Sequence, residues 1–325
     1  MRTCASASRD LAEPLAGTAA TARTWLLIEQ PGPWGAKALT ASHLDPALGR
    51  ALEEAADGSG VRVALIRRPG RHADAHGPSR RRVFLAHTAP GNSWIRTAVL
   101  TLEGADGPGP SALLGLDFAA LGAGHHGGLW EPYSGAPLAF VCTNAKRDRC
   151  CALLGRPLAA ELVAGLGPGA GHRIWEITHI GGHRFAPTLL VLPYGYAYGR
   201  ATAPAIKDVL EAAGDGRIVG HGCRGRSTWD RPGQAADLAV RELIGEWRAD
   251  ALDVIAVRPR AAEHGPAAGQ GWTVTVAHRD GRVWEADVDR GAAEPPRPES
   301  CGAEAGTPAR MDMVALRSVP GRRTA

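Results

Sequence analysis

Between residues 138 and 192 the chain sets three short apolar runs around one amphipathic stretch, and that alternation leaves few architectures open. Leu138-Ala139-Phe140-Val141 is too short for a helix and reads as a buried strand that delivers Cys142 at its end. After a polar loop, Ala152–Leu166 brings Leu153, Leu158, Leu162 and Leu166 toward one face, which predicts a helix. Arg173–Thr178 and Thr188–Leu192 predict two further strands, the second halted by Pro193-Tyr194-Gly195. Helices are expected over 203–213, where Pro204 sits early enough that its missing N–H costs little, and over 234–247. Such a succession requires helices packed on a sheet, an α/β arrangement.

The flanks extend the pattern. Trp25-Leu26-Leu27-Ile28-Glu29 is an apolar run ended by the turn-rich Gln30-Pro31-Gly32-Pro33. Residues 42–56 place Leu44, Leu48, Leu52 and Ala55 on one helical face, and Val61–Ile66, Val83–His87 and Trp94–Leu102 read as strands. We therefore expect an N-terminal α/β unit over 1–128, closing at the glycine-rich Gly122–Gly128, and a central domain over 129–248. A small β-rich C-terminal segment over 249–325 follows. In it, Val254–Val257, Trp272–Ala277 and Arg282–Val288 read as strands, and Asp280-Gly281 marks a hairpin between the last two. Ala261–Gly271 reads as an exposed loop, and the last 35 residues as partly disordered apart from Met311–Arg317. No repeat of fixed period occurs.

Composition excludes several classes. At 325 residues with 44% hydrophobic and 22% charged side chains, the chain is neither wholly disordered nor a coiled coil. The net charge of +4 is spread without a long basic run, Arg80-Arg81-Arg82 being the longest cluster, so no nucleic-acid partner is expected. The first 23 residues lack an apolar core of signal-peptide type, and no stretch approaches 18 consecutive apolar residues. A soluble, cytoplasmic protein with no membrane partner is expected. Its six cysteines, at 4, 142, 150, 151, 223 and 301, would be free or metal-bound rather than paired.

One constellation carries chemistry. Cys142-Thr-Asn-Ala-Lys-Arg-Asp-Arg-Cys150-Cys151 sets two or three thiols close together, and His179-Ile-Gly-Gly-His183 follows some thirty residues later. Each pair follows an expected strand, so four soft-to-borderline ligands would converge at one end of the sheet. Gly181-Gly182 would let the backbone fold tightly between the two imidazoles. Spacing alone does not name the metal. Zinc uses the same Cys₂His₂ set, though commonly with narrower pairs, whereas a wide first loop suits a binuclear cluster.

At these residues the sequence resembles the sucrase/ferredoxin-like family, whose members contain a thioredoxin-like ferredoxin domain. The matching motifs are C-x₈-C from Cys142 to Cys151, with Arg147-Asp148 inside it, and H-x-G-G-H from His179 to His183. His183-Arg184-Phe185-Ala186, Pro193-Tyr194-Gly195, Gly17-Thr18-Ala19 and the run from Trp25 to Gly35 match as well. The β-α-β-β-α order is also that of a thioredoxin-like sheet. The resemblance implies a [2Fe–2S] cluster on Cys142, Cys151, His179 and His183, with Cys150 able to stand in for Cys151. It further implies one-electron transfer, proton-coupled through an imidazole, to a soluble reductase or acceptor protein. An electron carrier is thereby expected rather than an enzyme with its own substrate. A zinc-binding structural or interaction module on the same four residues is the alternative.

Lys146, Arg147, Arg149 and Arg184 surround the ligands and could recruit an acidic partner. Gly122–Gly128, with His125 and His126, could bind a metal or phosphate but reads rather as a flexible linker. The Gly220-x-Gly222-x-x-Gly225 pattern lacks the unit that would make it dinucleotide-binding. Arg224-Gly225-Arg226-Ser227 is expected to cap a helix or pack beside the ligands. Cys4 and Cys301 receive no role.

Overall fold

The architecture was obtained as a computed structural model, which describes residues 3–70, 80–102, 107–167, 169, 171–261 and 270–320. Its elements run α1 (Cys4–Asp10), β1 (Thr24–Glu29), α2 (Pro46–Ala56), β2 (Val61–Arg67), β3 (Arg80–His87), β4 (Trp94–Thr101), α3 (Pro108–Leu114), α4 (Phe118–Gly122) and β5 (Glu131–Pro132). The middle of the chain supplies β6 (Leu138–Cys142), α5 (Arg149–Gly165), β7 (Ile174–Ile177), β8 (Leu189–Leu192), β9 (Tyr196–Tyr198), α6 (Ala203–Gly214), β10 (Cys223–Arg226) and α7 (Arg231–Ile244). The C-terminal part adds β11 (Leu252–Ala261), β12 (Gln270–His278), β13 (Val283–Ala292), β14 (Arg297–Pro298), β15 (Ala305–Gly306) and β16 (Ala309–Val319).

Ten strands form one mixed sheet in the order β10-β9-β8-β6-β7-β2-β1-β3-β4-β5, and β11-β12-β13-β16 form a separate antiparallel sheet. The fold is mixed α/β, with seven α-helices among the described residues. β1 is apolar on both faces because it lies inside the large sheet. Trp25 to Ile28 are at most 1% exposed, and each such side chain contributes about 1.5–3 kcal/mol by burial. α2 begins where Asp45 accepts the N–H groups of Ala47 and Leu48 and Pro46 occupies the first turn.

Two junctions position the functional residues. β6 and β7 run parallel, with Cys142 opposite Ile177, so residues that follow the two strands emerge at one end of the sheet. β7 also pairs antiparallel with β2, where Arg67 lies opposite Glu176. The pair is buried, with Arg67 Nε donating to Glu176 Oε2 at 2.7 Å. Strands from before and after residue 128 thereby share a single sheet. The small sheet lies on α7, burying Val274, Val276, Trp284, Ala286 and Val288 against Ala235, Ala236 and Val240.

Several local expectations are revised. The helix expected from Ala152 starts at Arg149, with Asp148 accepting the Cys150 N–H as its cap, so Cys150 and Cys151 stand in the first helical turn rather than in a loop. Within the last 35 residues, Met311–Arg317, the stretch expected to be ordered, lies in β16, which pairs along β13 from Ala309 to Val319. The part before it, expected to be disordered, carries β14 and β15, and residues 321–325 lie outside the described ones. Most of the expected Ala261–Gly271 loop lies outside them too. Gly122–Gly128 is packed at Gly122 and Gly124, whereas Gly127 and Gly128 are exposed. A Cβ on Gly122 would sit 1.8 Å from the Ser59 carbonyl, and Gly124 O accepts the Trp94 indole N–H. The Asp280-Gly281 turn does close the β12–β13 hairpin, Gly281 adopting φ 93°.

Candidate metal centre

Cys142 ends β6 and is 1% exposed, its N–H donated to the Thr188 carbonyl. The α5 N-terminus comes close to it because residue 155 is glycine: a Cβ there would meet the Cys142 carbonyl at 2.2 Å. That contact seats Cys151 against Cys142. Thr178 continues the β7 pairing, its N–H on Leu65 O and its Oγ1 accepting the Leu65 N–H, and His179 follows beside the two thiols. One ligand atom from each of Cys142, Cys151 and His179 falls within 4.8 Å of the others. The His183 ring lies 5.1 Å from that of His179, centroid to centroid.

The turn between the histidines needs its glycines. Gly181 and Gly182 hold φ of 79° and 71°, a left-handed region costly for other residues. A Cβ on Gly182 would approach Arg224 Nη2 to 2.0 Å. Arg224 is buried, donates to Gly181 O at 3.1 Å and to the Thr18 carbonyl and hydroxyl, and so packs beside the ligands as expected. Thr18 belongs to the Gly17-Thr18-Ala19 motif, whose role is thereby structural. The Trp25–Gly35 motif backs the other side of the site. Asn144 donates to Gly35 O at 3.2 Å and Arg67 to Gly32 O at 2.8 Å, tying the loop after Cys142 to that turn.

Electrostatics favour deprotonated sulfur next to neutral imidazole. The Cys151 thiol donates to Cys142, and this contact, together with His179, holds Cys142 well below the ordinary thiol range despite burial. The same contact raises Cys151. Burial pushes the His183 imidazole down, against the opposing pull of Asp148. His179 Nδ1 and both ring nitrogens of His183 are buried without a hydrogen bond of ordinary geometry among the described residues, the Glu299 backbone and Asp148 being near His183. Unmet buried polar atoms are uncommon in folded proteins, and a bare, unprotonated imidazole nitrogen is able to bind a metal ion. Arg62 donates to His179 O at 3.1 Å, and burial lowers its guanidinium while the charge of Cys142 holds it up. Burial, then Arg184 nearby, lower Arg224 to about 9, again opposed by Cys142. Both arginines remain cations at neutral pH, facing an anionic sulfur site.

Of the four basic residues expected around the ligands, Lys146, Arg147 and Arg149 are exposed. Arg184 is committed inward, its Nε 2.8 Å from Glu13 Oε1. The Cys150 side chain turns away from Cys142 and packs with Cys4 and Cys301. Cys4 donates to it and pushes its thiol down to about 6. The sequence reading left these last two without a role, and no local spacing signals them. Asp148 stands between the two groups, its Oδ2 3.7 Å from His183 Nε2.

A family model described as sucrase/ferredoxin-like matches residues 15–225, well over half of the chain. No curated protein and no solved structure matches it. No helix among the described residues is long and apolar enough to cross a membrane.

Proposed function

The chain belongs to the sucrase/ferredoxin-like family, and on that footing we propose that it carries single electrons on a [2Fe–2S] cluster held by Cys142, Cys151, His179 and His183. The observation that carries this reading is the meeting of Cys142, Cys151 and His179 at one sheet end, with the buried imidazole of His183 beside them. A mononuclear tetrahedral ion with bonds of about 2.0–2.3 Å needs all four ligand atoms within about 4 Å of one another. His183 stands outside the 4.8 Å group formed by the other three, a spread that suits two metals better than one. The strand order β7-β6-β8-β9, with β6 and β7 parallel and β8 antiparallel to both neighbours, supports a thioredoxin-like reading of the domain around the ligands.

The cluster would supply the reversible one-electron step, and the chain sets its conditions. Cys142 and Cys151 would bind one iron as thiolates and His179 and His183 the other as neutral imidazoles. Two fewer negative charges than in a four-thiolate site make uptake of an electron easier. Arg62 and Arg224 act in the same direction by holding positive charge behind the ligands. His183, half-buried with Asp148 at 3.7 Å, is placed to hold a proton on its second nitrogen when the metal becomes electron-rich. The exposed Lys146, Arg147 and Arg149 would present the site to an acidic, soluble reductase or acceptor.

The test is the visible spectrum of protein purified without oxygen, with iron, sulfide and zinc analysis of the wild type and of Cys142→Ser. The reading expects a reddish-brown protein with two irons and two sulfides per chain, colourless after the substitution. A colourless wild type whose zinc depends on Cys142 would replace it with the structural zinc module.

A further inference from the structure

A second group of thiols lies outside the site just described. Cys4 in α1, Cys150 in the first turn of α5 and Cys301 after β14 meet although 146 and 151 positions separate the neighbours in sequence. Their Sγ atoms are 3.4 Å (Cys4–Cys150), 3.5 Å (Cys4–Cys301) and 3.1 Å (Cys150–Cys301) apart. The Asp148 carboxylate joins them, one ligand atom from each of the four falling within 4.8 Å of the rest. Cys4 precedes and Cys301 follows the matched stretch 15–225, so two of the four members of this group lie outside what the family shares.

Buried cysteines usually serve as small hydrophobes. Two observations speak against that role here. The three sulfurs face a buried carboxylate that accepts from the Cys150 and Cys301 N–H groups and the Ser300 hydroxyl, a polar group that is poor company for apolar packing. They also form a closed triangle rather than a pair. With edges of 3.1–3.5 Å, its centre lies about 1.9 Å from each sulfur, and a metal–sulfur bond of about 2.3 Å would lift an ion about 1.3 Å out of the plane. An ion at such an apex leaves one position for a fourth ligand. Asp148 Oδ1 accepts a backbone hydrogen bond only from Cys150, whereas Oδ2 takes both Ser300 and Cys301.

We propose that Cys4, Cys150, Cys301 and Asp148 form a second metal site, for a thiophilic divalent cation of the zinc class. Three thiolates select a soft or borderline ion, and four protein ligands leave no open position, the pattern of a structural centre. Its work is to pin α1 and the Ser300-Cys301 turn onto α5. α1 is already tethered nearby: Glu13 bridges Arg184 and Arg297, and Arg200 donates to Ser8 O and Glu13 O.

The test is zinc and iron content with zinc K-edge X-ray absorption, on full-length protein supplied with zinc and on Cys4→Ser and Cys301→Ser. The expected result is one zinc per chain with three sulfurs at about 2.3 Å and one lighter ligand. Each variant should lose zinc at least tenfold while keeping its iron. If a variant fails to accumulate, the wild-type absorption edge still decides. Wild-type protein without zinc, zinc bound to two sulfurs and two imidazoles, or a disulfide between any two of the three cysteines would overturn the proposal. Iron without zinc defeats this inference alone; zinc on three sulfurs without iron defeats the cluster reading alone.

Discussion

Cys150 and Cys151 are adjacent in the chain and face different thiol groups, Cys151 meeting Cys142 and His179 while Cys150 meets Cys4 and Cys301. Helical geometry produces the divergence. Asp148 caps α5 so that both cysteines lie in its first turn, where successive side chains point about 100° apart. In an extended loop either thiol could have swung toward Cys142.

Substitution should separate the two. Cys151→Ser is expected to abolish the visible absorption of the protein, and Cys150→Ser to leave its shape unchanged. Absorption spectra of freshly purified variants check this. The reverse result would assign the ligand to Cys150.

Gly182→Ala should destabilise the turn between the histidines. Its left-handed φ of 71° and the 2.0 Å approach of Arg224 to a Cβ both oppose a side chain. A cost of about 1–3 kcal/mol is expected, read as a fall in melting temperature together with reduced iron content. An unchanged melt and full iron would show that the glycine is dispensable.

Glu13 is a second stability test, with a definite sign in pH. Burial would raise its carboxyl, but hydrogen bonds from Arg297 and Arg184 outweigh burial and hold it below the usual range. Its stabilisation is therefore complete above the unfolded carboxylate pKa of about 4.3 and disappears as pH falls through the lower folded value. Glu13→Ala leaves the buried Arg297 and the partly buried Arg184 without their carboxylate, at a cost of about 3 kcal/mol. Urea unfolding at pH 7 and pH 3 should show a large gap between wild type and variant at pH 7 that narrows at pH 3. An equal gap at both would contradict the pairing.

The positions of β1, β2, β6 and β8, the H-x-G-G-H turn and the Asp280-Gly281 hairpin were readable because each is set by a few adjacent residues, whereas β3, β11 and β13 run past their expected ends. The start of α5 carried a signal as well, Asp148 in capping position, but leucine spacing from 153 onward masks it and places the cysteines in a loop. Nothing local announces the meeting of Cys4, Cys150 and Cys301. It arises from β16, which returns along β13, and from Glu13 holding Arg184 and Arg297, contacts between residues far apart in the chain. The continuation of the sheet from β7 to β2 is equally non-local, resting on the Arg67–Glu176 pair.

The proposed imidazole ligation would couple the electron to a proton. Reduction should raise the pKa of the outer nitrogen of His183, so the potential should fall by about 59 mV per pH unit between the oxidised and reduced pKa values. It should lie above the roughly −400 mV of four-thiolate plant-type sites. His183→Cys should lower the potential and flatten the slope. Film voltammetry from about pH 6 to 10 measures both, and a flat line in the wild type would remove the proton from the mechanism.

Mössbauer spectroscopy of protein grown on iron-57 and purified without oxygen tests the central claim most directly, because it reports each iron separately. Two ferric doublets of equal area, one for the thiolate-bound iron and one for the imidazole-bound iron, are predicted for the oxidised protein. A single doublet, or no iron signal in a folded protein, would contradict a binuclear cluster shared between Cys142–Cys151 and His179–His183.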